Sequence, residues 1–277
     1  PSLLGSGWLD RLLAEGVQFM FVSNSDNLGA SLDLNLLSYF AESNTPFLME
    51  VCERTASDKK GGHLAQRAGK LLLRESAQCP EADTEAFQDI ERHRFFNTNN
   101  LWIRMDELKK ALDQNGGFIP LPMIKNSKTV DPRDKKSPAV FQLETAMGAA
   151  IECFGGAGAI VVPRSRFAPV KTTSDLLALR SDAYEVTEDC RLQLSPHCKG
   201  TPPTIDLDSD HYKLVDQLDE KLKEGAPSLK GCRALKVRGP VAFRPDNVLL
   251  GSVEISNKAG ELRTIPPGEY RDTAFEI

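Results

Sequence analysis

The chain has 277 residues, of which 40% are hydrophobic and 26% charged, with a net charge of −5. That length accommodates one sizeable domain plus a smaller one, and the composition excludes a disordered chain. With no basic surplus, nothing in the bulk charge calls for nucleic acid, although a mildly acidic protein can bind phosphates through a few local cations. Cys52, Cys79, Cys153, Cys190, Cys198 and Cys232 form no C-x-x-C pair, so they read as reduced thiols of a cytoplasmic protein. His63, His93, His197 and His211 lack zinc-ligand spacing. No apolar run reaches the roughly 18 residues that would suggest a bilayer span.

The first residue, Pro1, leads straight into a helix-like segment, which predicts a trimmed chain rather than a natural start. Trp8, Leu9, Leu12 and Leu13 have helical spacing, stopped by Gly16. Phe19–Val22 reads as a fully buried strand of a parallel sheet in an α/β layer fold. A polar turn, Ser23 to Ala30, follows, and then a helix through Leu32, Leu36 and Leu37. This strand–turn–helix order sets side chains at the carboxyl edge of a sheet, where open α/β sheets bind ligands. Phe47–Cys52 is a second strand, and residues 61–76 read as a hairpin turning at Ala68-Gly69. The asparagines 97, 99 and 100 are placed at a strand end beside Trp102, ahead of a helix at about 106–114. The charged, proline-containing stretch 125–138 predicts an exposed loop, 142–154 a helix, and Ile160–Val162 a strand. Thr172-Thr173-Ser174 is capping chemistry for a helix near Asp175. Residues 186–226 carry no assignable motif. Beyond 226, two strand-and-turn units about a dozen residues apart suggest a small β-solenoid or appended sheet.

Several segments carry chemistry. Asn24 and Asp26 flank Ser25 at a strand's carboxyl end, where a carboxylate can hold Mg²⁺; the alternative is an Asx-turn in which Asp26 caps the next helix. Arg164, Arg166 and Lys171 put three cations in eight residues beside a helix start, and can meet a polyphosphate or form a solvated loop. Asn97, Asn99 and Asn100 suit sugar hydroxyls, because amides both donate and accept, but asparagine also builds turns. Glu75, closing an apolar strand, could accept from hydroxyls or be a plain surface residue. Gly61-Gly62 permits close backbone approach to a ligand, or merely a tight turn. The glycines at 155, 156 and 158 follow a helix and precede a strand, the reverse of a dinucleotide fingerprint, and read as a helix stop.

Four stretches in order carry a resemblance: FVSNSDNLGA (21–30), FNTNNLWI (96–103), QLETAMGAA (142–150) and VPRSRFAPVKTTSDLL (162–177). Together they resemble the eukaryotic-type UDP-glucose pyrophosphorylase family, densely over residues 1–185 and more loosely after 226. The resemblance implies a Rossmann-like nucleotidyltransferase domain at 1–225, incomplete at its N-terminus, and a C-terminal left-handed parallel β-helix at 226–277. It implies Mg²⁺-dependent reaction of UTP with glucose 1-phosphate to UDP-glucose and pyrophosphate, by in-line attack without a covalent intermediate. By the same resemblance Lys171 is the catalytic lysine, Asp26 the metal and α-phosphate residue, and Asn24 a substrate contact. Glu75, Asn97 and Asn99 become hexose-hydroxyl contacts, and Gly62 lies against substrate. Nucleic acid and membrane are not expected partners; assembly into a homo-oligomer is compatible with this set. The family's glycine-rich loop, with a second lysine, should lie upstream of Pro1. The chain as given is therefore expected to be inactive alone, or to be accompanied by an upstream segment. Two alternatives stay open: a pyrophosphorylase for other UDP-sugars or for N-acetylhexosamine, and a truncated sugar-nucleotide-binding paralogue without catalysis.

Overall fold

The computed structural model describes residues 2–55, 58–134 and 136–277; Pro1, and Lys135 of the expected loop, lie outside them. The chain divides into two compact units: Pro1–Asn24 with Leu32–Arg166, and Ser25–Ser31 with Phe167–Ile277.

The first unit is a mixed sheet flanked by helices. Helices α1 (Ser2–Gly5) and α2 (Trp8–Ala14) lead into β1 (Phe19–Val22). Helix α3 (Leu34–Glu42) separates β1 from β2 (Phe47–Glu53), and the hairpin β3 (His63–Arg67) and β4 (Lys70–Arg74) follows. Then come α4 (Thr84–Gln88), β5 (Phe95–Arg104), α5 (Met105–Gln114), the ribbon β6 (Met123–Thr129) and β7 (Ala139–Thr145), and β8 (Gly158–Val161). The sheet order is β4-β3-β5-β2-β8, with β1 also on β5. Only β2 and β8 run parallel; β1, β2 and β3 are all antiparallel to β5.

That overturns the expectation of a parallel sheet here, and β1 is half-buried rather than fully buried. A run of apolar residues reports burial on two faces but says nothing of strand direction. Side-chain direction does alternate as period-two geometry requires. Phe47, Met49 and Val51 of β2, with Leu101 and Ile103 of β5, face a core closed by Leu9, Leu108, Leu112 and Ile151. Leu48 and Trp102 face the other way, against Phe40, Phe19 and Phe21.

Three local expectations are corrected. Helix α3 starts at Leu34, capped by Asp33, whose side chain accepts from the N–H groups of Asn35 and Leu36, so Leu32 lies outside it and Asp26 is not its cap. The stretch 125–138 is mostly strand and turn, because β6 pairs with β7 in register Met123↔Thr145 to Thr129↔Ala139. The helix expected at 142–154 is the end of β7 followed by a 3-10 turn, Met147–Glu152. Its apolar spacing belongs to that buried turn, since β7 is exposed throughout.

The second unit holds α6 (Thr173–Arg180), the hairpin β9 (Tyr184–Val186) and β10 (Leu192–Leu194), β11 (Thr204–Leu207), α7 (Ser209–Tyr212) and α8 (Val215–Lys221). Strands β12 (Cys232–Arg238), β13 (Val241–Ala242), β14 (Asn247–Ser256), β15 (Arg263–Thr264) and β16 (Gly268–Glu276) complete it. β11, β12, β14 and β16 form one parallel sheet, and β13 pairs parallel with β15. The parallel sheet therefore takes in 204–207, ahead of residue 226. Its core is Leu235, Val237, Leu249, Val253 and Ile255, with Tyr212 and Phe243. Buried Asn247 and Asn257 serve the turns: Asn247 Nδ2 donates to the Pro266 carbonyl at 2.8 Å, and Asn257 Nδ2 to those of Pro240 and Glu261 at 2.7 Å each.

Candidate active site

In the first unit the site is built on an irregularity of β5. Met49 lies opposite Leu101 and Val51 opposite Asn97, so Glu50 alone faces residues 98, 99 and 100. Asn99 absorbs the surplus with a φ of +62°, a conformation asparagine tolerates better than most residues. The asparagines thus stand in the middle of a strand, not at its end. The Asn99 N–H donates to Asn97 Oδ1 at 2.8 Å, and Asn99 Nδ2 donates to Asn24 Oδ1 at 2.7 Å. The bulge therefore brings Asn24, Asn97 and Asn99 together as a half-buried amide cluster. Asn100 is not part of it, because its side chain turns inward to Glu50.

Glu75 follows β4 directly and packs against Gly62: a Cβ at 62 would fall 2.4 Å from Glu75 Oε2. Gly62 thus holds the space in which the carboxylate sits. Gly148 does the same for the amide cluster, where a Cβ would fall 2.3 Å from Asn97 Nδ2 and 2.7 Å from Leu73 Cδ2. Sequence reasoning missed Gly148. Its only signal was a glycine inside an apparent helix, a place where glycine is costly unless packing requires it.

Beneath the bulge lies a buried ionic network that the sequence also concealed. Glu50 is fully buried, with Arg166 Nε 2.7 Å from Oε2 and Arg166 Nη2 2.7 Å from Oε1. Trp102 Nε1 donates to Oε1 at 2.9 Å, and Asn100 Nδ2 to Oε2 at 3.0 Å. The Thr98 hydroxyl donates to the Glu50 carbonyl at 2.7 Å. Each carboxylate oxygen receives two donors, so the hydrogen-bonding capacity of this buried group is met inside the protein. Arg164 is engaged as well, through both amino groups to Asp58 at 2.8 and 3.0 Å and with its guanidinium 4.6 Å from the Phe96 ring centre. Two of the three cations first grouped as phosphate ligands are therefore structural.

In the same unit His63 is buried, with its ring 4.0 Å from that of His93 and 4.6 Å from Phe87, and its Nε2 has no hydrogen-bond partner among the described residues. Burial, then the neighbouring His93, Arg54 and Arg74, push its pKa down to about 4 from 6.5. Between these values the unfolded chain binds a proton that the folded one refuses, so stability falls as pH drops from 6.5 toward 4. We expect about 2–3 kcal/mol to be lost between pH 7 and 4.5 in urea unfolding, and His63→Leu to remove most of that slope. A slope unchanged in the variant would show that His63 does not titrate this way. Burial also pushes the Cys52 thiol up to about 11, leaving it a packing group.

The second unit holds the other two candidates. Asp26 and Lys171 lie on two short segments that pair: the Val170 N–H donates to the Asp26 carbonyl at 2.9 Å, and the Leu28 N–H to the Ala168 carbonyl at 3.1 Å. Lys171 precedes α6, whose N-cap is Thr172. In this capping box Asp175 Oδ2 accepts the N–H groups of Lys171 and Thr172, at 3.0 and 2.8 Å. Lys171 is exposed, and its ammonium has no ion pair among the described residues. Asp26 Oδ1 is buried without a hydrogen-bond partner among the described residues. An orphaned carboxylate oxygen is costly unless something occupies it, and it suits a hard divalent cation. Among the described residues no group of three His, Cys, Asp or Glu side chains could hold a metal.

A family model described as UTP–glucose-1-phosphate uridylyltransferase matches residues 1–250. The chain belongs to that family. It is 40% identical to the barley (Hordeum vulgare) UTP–glucose-1-phosphate uridylyltransferase over 268 residues, covering 97% of this chain and 55% of the relative. The Saccharomyces cerevisiae uridylyltransferase is 40% identical over 267 residues, 96% of this chain and 52% of the relative. Among solved structures, a UDP-glucose phosphorylase from Trypanosoma brucei superposes with a TM-score of 0.88 at 53% identity, over 99% of this chain and 59% of that one. The UDP-glucose pyrophosphorylase S374W mutant from Leishmania major, in complex with UDP-glucose, gives 0.86 at 52% identity, over 99% and 60%. The chain thus spans between half and three-fifths of the uridylyltransferases and pyrophosphorylases it matches. The mixed α/β fold is that of these structures. No described helix is long and apolar enough to cross a membrane.

Proposed function

We propose that this protein transfers UMP from UTP to glucose 1-phosphate, giving UDP-glucose and pyrophosphate. The observation that carries the reading is the joining of Asp26, whose buried oxygen has no hydrogen-bond partner among the described residues, to the segment ending in Lys171, whose ammonium has no ion pair among them. A phosphate oxygen of glucose 1-phosphate forms a bond to the α-phosphorus of UTP, and the bond from that phosphorus to pyrophosphate breaks. The attacking phosphate is already an anion at neutral pH, so the chain has charge to neutralise and atoms to position rather than a proton to remove. Lys171 offers its ammonium to the phosphate oxygens on which charge accumulates. Mg²⁺, when held by Asp26 Oδ1, supplies further neutralisation of those oxygens. Glu75, Asn97, Asn99 and Asn24 offer acceptors and donors to the hexose hydroxyls and nucleotide, with Gly62 keeping space beside Glu75. In this reading the first unit's sheet and its helices are part of a Rossmann-like nucleotidyltransferase domain. The parallel strands of the second unit are coils of a left-handed β-helix, supported by their parallel pairing and turn asparagines. The six unpaired thiols support a cytoplasmic location.

The test is Mg²⁺-dependent formation of UDP-glucose from UTP and glucose 1-phosphate by the native protein. Turnover with N-acetylglucosamine 1-phosphate but not glucose 1-phosphate would overturn the sugar assignment. No product with any hexose 1-phosphate would overturn the enzyme reading in favour of a binding protein.

A further inference from the structure

The pairing of residues 26–28 with 168–170 is reinforced by a side chain. Asn27 and Pro169 face each other as the non-hydrogen-bonded pair of an antiparallel bridge, a position where proline's missing N–H costs the ladder nothing. Two main-chain bonds flank it, Val170 N–H to Asp26 O and Leu28 N–H to Ala168 O. Asn27 adds a third link. Its Oδ1 accepts the Ala168 N–H at 2.8 Å across the pairing and the Gly29 N–H at 3.2 Å within its own segment. The side chain is 5% exposed, so water does not compete for these bonds. On the far side, Lys171 is tied by its own N–H to Asp175. The main chain carrying Lys171 is thus gripped from both directions, and the Asp26 main chain is part of one of those grips.

We infer that Asn27 is a positioning residue for the proposed nucleotidyl transfer: by clipping Ala168 to its own turn, it sets Asp26 and the segment leading to Lys171 at one working separation. The inference rests on the function proposed above. Asn27 need not touch substrate; it acts through the two groups that would neutralise the phosphates.

The experiment compares the native protein with Asn27→Ala, which deletes the acceptor, and Asn27→Asp, which keeps it. Amide hydrogen exchange at Ala168 and Val170, thermal unfolding, and kcat with KM for glucose 1-phosphate and for UTP are measured on each. In Asn27→Ala the Ala168 amide should exchange about tenfold faster, and kcat should fall by about 10²-fold, as a displacement near 1 Å can cause, with KM for glucose 1-phosphate within about threefold. Asn27→Asp should restore slow exchange at Ala168. A kcat unchanged in Asn27→Ala despite the faster exchange would overturn the inference, as would unaltered exchange at Ala168. If Asn27→Ala fails to fold, a folded Asn27→Asp with rapid Ala168 exchange would overturn it equally. Absence of turnover in the unsubstituted protein would instead remove the underlying functional reading, leaving the exchange result to report on the clip alone.

Discussion

Lys171→Ala is expected to lower kcat for UDP-glucose formation by about 10³-fold while leaving the fold intact. The side chain is exposed, and its ammonium has no ion pair among the described residues, so its removal exposes no buried charge and opens no cavity. Stability should change by no more than about 0.5 kcal/mol. The main chain at 171 stays in place, because its anchors are the Asp175 carboxylate and the Val170–Asp26 bond, not the ammonium. In the proposed reaction, what disappears is a positive charge that would meet developing phosphate charge; the other two cations of this stretch of sequence, Arg164 and Arg166, are committed to Asp58 and Glu50. Lys171→Arg should recover only part of the rate, since a planar guanidinium on a different stem reaches a different point. Steady-state kinetics with thermal unfolding on the same samples checks both halves. A fall of less than about tenfold with the fold intact would remove Lys171 from the chemistry.

Glu50→Leu should be the most destabilising single change of those considered, by about 3–5 kcal/mol in denaturant unfolding. Glu50 is fully buried, and its removal takes the shared carboxylate from four donors: two on Arg166, the indole N–H of Trp102 and the amide of Asn100, which keeps the Arg166 carbonyl at 3.3 Å. Arg166, whose side chain is 9% exposed, cannot turn to water for compensation. The effect should also reach the amide cluster. Thr98 is tied to the Glu50 main chain, Asn100 to its carboxylate, and Asn99 lies between them at positive φ. Glu50→Leu combined with Arg166→Met should regain a good part of the loss, because the guanidinium deprived of its carboxylate is the larger cost, though the Trp102 indole still loses that acceptor. Should Glu50→Leu alone cost below about 1 kcal/mol, the carboxylate would not be the hydrogen-bonding hub that the geometry describes.

Much of the site was legible without the fold. The spacing of Asn24 and Asp26 after a strand, the asparagine run and the cap residues after Lys171 are local signals, since a strand end, a turn and a helix start are each set by neighbours in the chain. The strand at 47–52, the 68–69 turn and the Thr172 cap followed from the same short-range rules, and the structure has them. Long-range pairing alone decided the rest. Strand direction depends on how the chain returns, so the apolar Phe19–Val22 could not disclose its antiparallel partner. The stretch 142–154 had helical spacing, yet pairing with 123–129 drew its first residues into a strand. Arg166 looked like a phosphate ligand because its partner, Glu50, lies 116 residues away. Asn27 looked like one more polar turn residue because the amide it accepts lies 141 residues away. The sequence by itself determined which residue types could meet a sugar phosphate and roughly where helices begin, because those depend on side-chain chemistry and nearest neighbours. Only the tertiary structure decided which charges are spent on each other and which are left for a ligand, because that depends on the partner each buried group finds when distant segments close over it.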